Sequence, residues 1–164
     1  MKSKVIFTLD DDISTDVIYP GRFMATVLPT ETPLYAFADY AEFNGQLKKK
    51  EFPDGSIIVA GNNFGCGSSR EQAASTLKGY NLTIIAKGFA RIFLQNSINL
   101  GLRTVICPKI EANLGDELEI RPDGVVNITS GKKFEIEPLP KARQMIMEAG
   151  GLIEYTRKRL LAKK

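Results

Sequence analysis

Residues 56–107 read SIIVAGNNFGCGSSREQAASTLKGYNLTIIAKGFARIFLQNSINLGLRTVIC, and the order of apolar runs and helical spacing in them decides the fold. Ser56–Ala60 is a short, almost continuously apolar run, the pattern of a strand buried on both faces. From Gln72 to Tyr80, apolar Ala73, Ala74, Leu77 and Tyr80 recur at helical spacing. A second strand over Leu82–Ala86, a second helix over about Phe89–Leu100 and a third strand over Thr104–Cys107 follow. Strand, helix, strand, helix and strand in about 50 residues imply parallel strands joined by right-handed crossovers.

Upstream, Val5–Leu9 predicts a strand that runs into the acidic turn Asp10-Asp11-Asp12. Ile13–Arg22 (ISTDVIYPGR) follows, punctuated by the turn Pro20-Gly21. Residues 23–33 (FMATVLPTETP) hold two prolines and little periodicity, and read as a loop; Leu34 to Phe43 predicts a short helix ending near Asn44-Gly45. Downstream, Glu117–Arg121, Val125–Thr129 and Phe134–Glu137 alternate between turn residues as a β meander does. Pro140 opens a helix that Gly150-Gly151 interrupts, and a final helix runs to the tail. The expectation is one α/β domain over residues 1–164, with a partly parallel mixed sheet flanked by helices.

Composition narrows the chemistry. The 164 residues are 43% hydrophobic, enough for one core and short for two ordinary domains. No histidine is present. Hydrolase triads, histidine-bearing zinc sites and imidazole acid–base catalysis are thereby excluded from this chain. Cys66 and Cys107 are too few for a cysteine-only metal site or a disulfide framework, so no metal is expected on this chain and reduced thiols in a cytoplasmic protein are. No apolar run approaches the roughly 18 residues of a membrane span, so no membrane association is expected. The net charge of +3 is uneven: Lys48, Lys49, Lys50, Arg157, Lys158, Arg159, Lys163 and Lys164 supply eight of 22 basic residues, leaving 14 against 19 acidic ones. A basic tail without interleaved aromatics on a mildly acidic body is a poor footprint for nucleic acid, and none is expected as a partner.

The stretch that carries chemistry is Gly65-Cys66-Gly67-Ser68-Ser69-Arg70-Glu71, between a buried strand and a helix. Glycines let the backbone approach a ligand closely. A helix beginning near Ser69 aims free N–H groups and a partial positive charge at what precedes it, and Arg70 adds a planar fork of donors. The local physics describes a pocket for a carboxylate or phosphate. Ser68-x-x-Glu71 equally reads as a capping box, in which the hydroxyl only closes the helix end. A Walker phosphate loop is excluded by the missing Gly-Lys-Ser/Thr ending, and the dinucleotide fingerprint is weakened by Arg70 at the third glycine position. Cys66 reads as a small residue at a tight turn or, with no histidine to activate it, as an unassisted thiol.

Four segments together resemble a known family: Asp11–Asp16 (DDISTD), Pro20-Gly21-Arg22, Asn63–Glu71 (NFGCGSSRE) and Gly88–Phe93 (GFARIF). In order and spacing they are similar to the isopropylmalate dehydratase small subunits, which correspond to the swivelling β/β/α domain of the aconitase family. The resemblance runs from the first strand to the helix after Gly150-Gly151. It implies an enzyme, a hydro-lyase of leucine biosynthesis that is active only with a large subunit. That partner would carry a [4Fe-4S] cluster, its cysteines and the catalytic histidines, and the substrate would be a small hydroxy-dicarboxylate, 3-isopropylmalate first.

Carried over position by position, Ser68 matches the proton-abstracting base, Ser69 its neighbour at the substrate, and Arg70 the carboxylate-binding arginine. Asp16 matches an active-site aspartate expected to orient the arginine or serine, with a turn-forming role as the alternative. Arg22 stands open between a substrate contact and a surface ion pair. The loop Phe23, Met24, Ala25, Thr26 lies where relatives acting on citrate or homocitrate place an arginine; here it holds no cation, which favours an alkyl substituent. Gln72 stands where the commonest pattern of the family has histidine, a departure that bears on details of the pocket. Alternatives within the class are 2,3-dimethylmalate, 2-methylmalate (citraconate) or homoaconitase-type hydro-lyase subunits. From another class, the rival is a non-catalytic anion-binding module.

Overall fold

Strands β1 (Lys2–Leu9), β2 (Ile57–Ala60), β3 (Thr83–Ala86) and β4 (Arg103–Ile106) lie parallel and side by side in the computed structural model, which describes residues 1–162. Every residue of β2 and β3 is buried, as continuous apolar runs demand when both faces are covered. Alternation sends Ile58, Ala60, Ile84 and Ala86 into one core, and Ile57, Val59 and Ile85 into another.

The first core is closed by α2 (Ala41–Lys48), α3 (Glu71–Gly79) and α4 (Arg91–Leu100), through Phe43, Leu47, Ala73, Ala74, Leu77 and Phe93. Strand order steps one way from β2 to β4, so two right-handed crossovers set α3 and α4 on the same face. The second core is covered by the meander β5 (Glu117–Arg121), β6 (Gly124–Asn127) and β7 (Lys133–Glu135), through Leu118 and Val125. β1 serves both halves: Lys2–Lys4 pair antiparallel with β5, and the stretch from Val5 to Leu9 pairs parallel with β2 across an irregularity between Val5 and Phe7. The seven strands run in the order β4-β3-β2-β1-β5-β6-β7, and meander, parallel strands and helices stack as β/β/α layers. This is the mixed, partly parallel sheet that the alternation of elements anticipates. Beyond α4 lie α5 (Lys141–Glu148) and α6 (Leu152–Leu161). Gly101 ends α4 at φ 70°, and a Cβ there would stand 2.4 Å from the Gly150 carbonyl carbon, so only bare backbone lets these turns meet.

One predicted element moves. Instead of a helix from Leu34 to Phe43, a 3₁₀ turn spans Thr32–Tyr35 and α2 begins only at Ala41. Phe37, at φ 50°, breaks the chain between them and buries its ring against Phe7 (5.5 Å between centroids). Asn44, read as a terminator, is inside α2, where its amide donates to the carbonyls of Ala36 (2.7 Å) and Leu34 (3.2 Å). A tertiary demand for these aromatics thus overrides the local signals. Lys163 and Lys164 of the basic tail lie outside the described residues.

Candidate active site

Parallel pairing makes the segments leaving β1, β2 and β3 start next to one another, at the carboxyl ends where open α/β sheets hold ligands. The segments interlock through their backbones. Asp12 N–H donates to Asn62 O (2.9 Å), Gly65 N–H to Ile13 O (2.7 Å) and Thr15 N–H to Cys66 O (2.8 Å). Phe64 N–H donates to Gly88 O (3.0 Å), and Phe64 O accepts from Ala90 N–H (2.9 Å). The Asp11 carboxylate accepts from Asn62 N–H at 2.6 Å, a bond that lowers its pKa. Phe64, Phe89 and Phe93 form the floor, with Phe64 edge-on to the other two rings. Gly65 lies on that floor at φ 81°, and a Cβ would fall 2.2 Å from Phe93 Cγ. The glycine therefore answers both a left-handed turn and a close approach.

On this base Ser68 and Ser69 are exposed. The Ser68 carbonyl accepts a hydrogen bond from the buried Thr15 hydroxyl at 3.0 Å. The helix expected near Ser69 starts at Glu71, with Arg70 extended at the N-cap position and no side chain capping it. The capping box read from Ser68-x-x-Glu71 does not form. Gly67, at φ 89°, and extended Arg70 carry Ser68 off the helix start, leaving the first-turn N–H groups of α3 without a side-chain acceptor.

The Arg70 side chain folds back under the turn that follows β1. Its Nη1 donates to Asp16 Oδ1 and to the carbonyl of Tyr19 (3.4 Å). Only 12% of the Arg70 side chain is exposed, and its buried Nε has no partner among the described residues. Gly21 roofs the pair: a Cβ there would lie 3.2 Å from Asp16 Oδ1 and 3.4 Å from Arg70 Nη2. The Arg70 hydrogen bond holds the Asp16 carboxyl below the usual aspartate range. The ion pair thus contributes stability that is present above the ordinary aspartate pKa and lost as pH falls through the lowered one.

Arg22 goes elsewhere. It forms a forked ion pair with Asp39 (Nη1–Oδ2 3.3 Å), both side chains more than half exposed, and its guanidinium lies 4.7 Å from the centre of the Phe23 ring. Phe23 in turn stacks on Tyr35 at 4.2 Å. The ring is occupied by these two contacts, whereas Met24 and Ala25 are exposed, Thr26 is half-buried, and Val27 and Leu28 continue an exposed apolar tip. The structure therefore joins Ser68, Ser69, Arg70 and Asp16 in one place and sets Arg22 and Phe23 into a stack beside it. Thr15, Tyr19 and Asp39 are the contributors that sequence reasoning passes over. Thr15 sits inside the Ser-Thr-Asp motif already singled out, and nothing local marks the other two.

Comparisons with known proteins identify the family and the fold. Residues 13–109 match the aconitase C-terminal domain model. The 3-isopropylmalate dehydratase small subunit of Thermodesulfovibrio yellowstonii is 41% identical, over 98% of this chain and 95% of its own length. This chain belongs to that family of small subunits. The family member from Caldicellulosiruptor bescii is 45% identical over 90% of this chain and 89% of its own. The 2,3-dimethylmalate dehydratase small subunit of Eubacterium barkeri is 40% identical over 94% of this chain and 96% of its own. The crystal structure of 3-isopropylmalate dehydratase from Methanocaldococcus jannaschii superposes with a TM-score of 0.87 at 38% identity, covering 99% of this chain and 98% of that one. As a small subunit of this family, the chain is a component of a hydro-lyase.

Its own two cysteines are too few for an iron–sulfur cluster, which is held by several thiolates. Cys107, after β4, is buried, and burial pushes its thiol up to about 11, away from the thiolate a metal needs. Cys66 Sγ lies 3.4 Å from the carbonyl of Asp12. Among the described residues no three Cys, His, Asp or Glu side chains group as metal ligands, and no helix is long and apolar enough to cross a membrane.

Proposed function

We propose that this small subunit completes the active site of an alkylmalate hydro-lyase, with 3-isopropylmalate as substrate and Ser68 as the base. The observation that carries the reading is the exposed Ser68 hydroxyl, free of helix capping, beside the uncapped start of α3 and the Asp16–Arg70 pair. A large subunit is the partner, and a [4Fe-4S] cluster belongs to that subunit.

Within this chain the chemistry is proton transfer and anion binding. Ser68 Oγ takes the proton from the carbon next to the carbinol carbon as the freed electron pair forms the alkene and the carbinol C–O bond breaks, and it returns the proton on rehydration. The partner's cluster would supply the Lewis acid that accepts the departing hydroxyl. A serine hydroxyl is a weak base unless its alkoxide is stabilised. The support this chain offers is the positive end of α3, which begins three residues on at Glu71, together with the adjacent Arg70 guanidinium. Thr15, holding the Ser68 carbonyl, fixes the backbone that carries the hydroxyl. Arg70 offers its remaining donors to a substrate carboxylate, with Asp16 and the Tyr19 carbonyl fixing the guanidinium plane. Ser69, next along the exposed loop, supplies a second hydroxyl to the substrate.

The alkyl group meets the loop of Phe23, Met24, Ala25 and Thr26, through the exposed Met24 and Ala25. No cation projects from this tip, and an extra carboxylate placed there would lose hydration without a partner. In the complex with its large subunit, Ala25→Arg is expected to shift kcat/KM toward homocitrate over 3-isopropylmalate by about tenfold, the worth of one charge-assisted hydrogen bond. Steady-state assays on both acids check this, and an unchanged ratio removes the loop as the selector. The smaller 2,3-dimethylmalate is the second reading, supported by the similarity to the Eubacterium barkeri subunit. A panel of alkylmalates assayed with the same complex separates the two.

A further inference from the structure

Tyr19 touches both halves of the site and is assigned to neither. The residue is fully buried, and its ring meets Tyr35 edge-on with centroids 6.2 Å apart. Its hydroxyl reaches the carbonyl of Phe23 at 3.0 Å and that of Thr26 at 3.3 Å, the first and last residues of the substrate-facing turn. Its own carbonyl accepts from Arg70 Nη1 at 3.4 Å. One residue thus ties the base of the loop to the anion-binding guanidinium. Burial raises the phenol pKa, so the group remains a proton donor at ordinary pH.

Within the loop the support is thin. Phe23 N–H donates to Pro20 O (3.0 Å), Met24 N–H to Gly21 O (3.1 Å) and Thr26 N–H to Phe23 O (2.9 Å), all short-range turn bonds. Stacking of Phe23 on Tyr35 holds only the first residue. Thr26 N–H to Phe23 O closes the turn on itself, and the Tyr19 phenol, within reach of the Phe23 and Thr26 carbonyls, ties that closed turn to the buried core. The exposed Met24 and Ala25 lie between these two carbonyls, so their placement relative to the core depends on that tie.

We propose that Tyr19 is a specificity-determining positioning residue, whose hydroxyl fixes the 23–26 turn at a set distance from Arg70 and so sets the size of the alkyl group accepted. This rests on the reading of Arg70 and the loop as the substrate's carboxylate and alkyl subsites. Tyr19→Phe removes one oxygen and keeps the ring, so packing against Tyr35 persists while the single phenol proton shared between the Phe23 and Thr26 carbonyls is lost.

The test uses the complex of this chain with its large subunit, assayed on 3-isopropylmalate and 2,3-dimethylmalate. Tyr19→Phe is expected to change the ratio of their kcat/KM values at least fivefold, through KM, with kcat on either acid within threefold of wild type. Hydrogen exchange on the free subunit is expected to show the Met24 and Thr26 amides exchanging at least fivefold faster, with β2 and β3 amides unchanged. A wild-type complex that turns over neither acid overturns the reading of the site and this proposal with it. A working wild type with an unchanged ratio in Tyr19→Phe overturns the Tyr19 assignment alone, as does unaltered exchange in the loop.

Discussion

Ser68→Ala lowers kcat of the complex with the large subunit about 1,000-fold, in the middle of the range for loss of a positioned general base. KM and assembly stay close to wild type. The exposed hydroxyl caps no helix, so its removal costs the fold little. Had Ser68 closed a capping box, the same substitution would cost about 1 kcal/mol of stability. Thermal melting of the free subunit together with single-turnover assay of the complex separates the two roles. A kcat within tenfold of wild type removes Ser68 as the base.

Arg70→Gln is expected to reduce kcat/KM about 100-fold, most of it in KM. A hydrogen bond to a charged partner contributes about 1.5–3 kcal/mol, and each 1.4 kcal/mol is a factor of ten. The loss also uncovers Asp16, whose carboxylate then faces an anionic substrate without its partner. Arg70→Lys keeps the charge without the fork and recovers only part of the activity, because Asp16 and the Tyr19 carbonyl already engage one edge of the guanidinium. Stability responds less, since Asp16 is more than half exposed and the pair is screened by water. Steady-state kinetics on both variants check this. A KM unchanged in Arg70→Gln would mean that the substrate carboxylate binds elsewhere.

Much of this was legible in residues 56–107, because β2 and β3 are buried on both faces and α3 and α4 on one, so hydrophobic spacing reports them directly. The meander was legible for the same reason, from alternation between turn residues. The segment 32–48 was not: Phe37 adopts a left-handed conformation to bury its ring, and Asn44 works inside a helix by binding the turn before it. Neither demand exists until β1 brings Phe7 alongside. At the site, the glycine–serine–arginine turn marks Ser68, Ser69 and Arg70 as candidates, but spacing alone cannot say whether Ser68-x-x-Glu71 closes a helix. The positive φ of Gly67 and the extended Arg70 decide that, and both follow from the Thr15–Ser68 and Arg70–Asp16 contacts across more than 50 residues of chain. Tyr19 was invisible for a related reason, since its hydroxyl acts on carbonyls, which any sequence supplies.

The absence of histidine excludes imidazole chemistry from this chain, and the proposed function assigns the remainder of the site to a large subunit. Titrating this chain anaerobically into a fixed amount of cluster-loaded large subunit, while following 3-isopropylmalate dehydration, tests that most directly. Turnover is expected to be near zero without this chain, to rise linearly with it and to saturate at one small subunit per large subunit. Full activity of the large subunit alone, or equal activity restored by Ser68→Ala, would contradict the account.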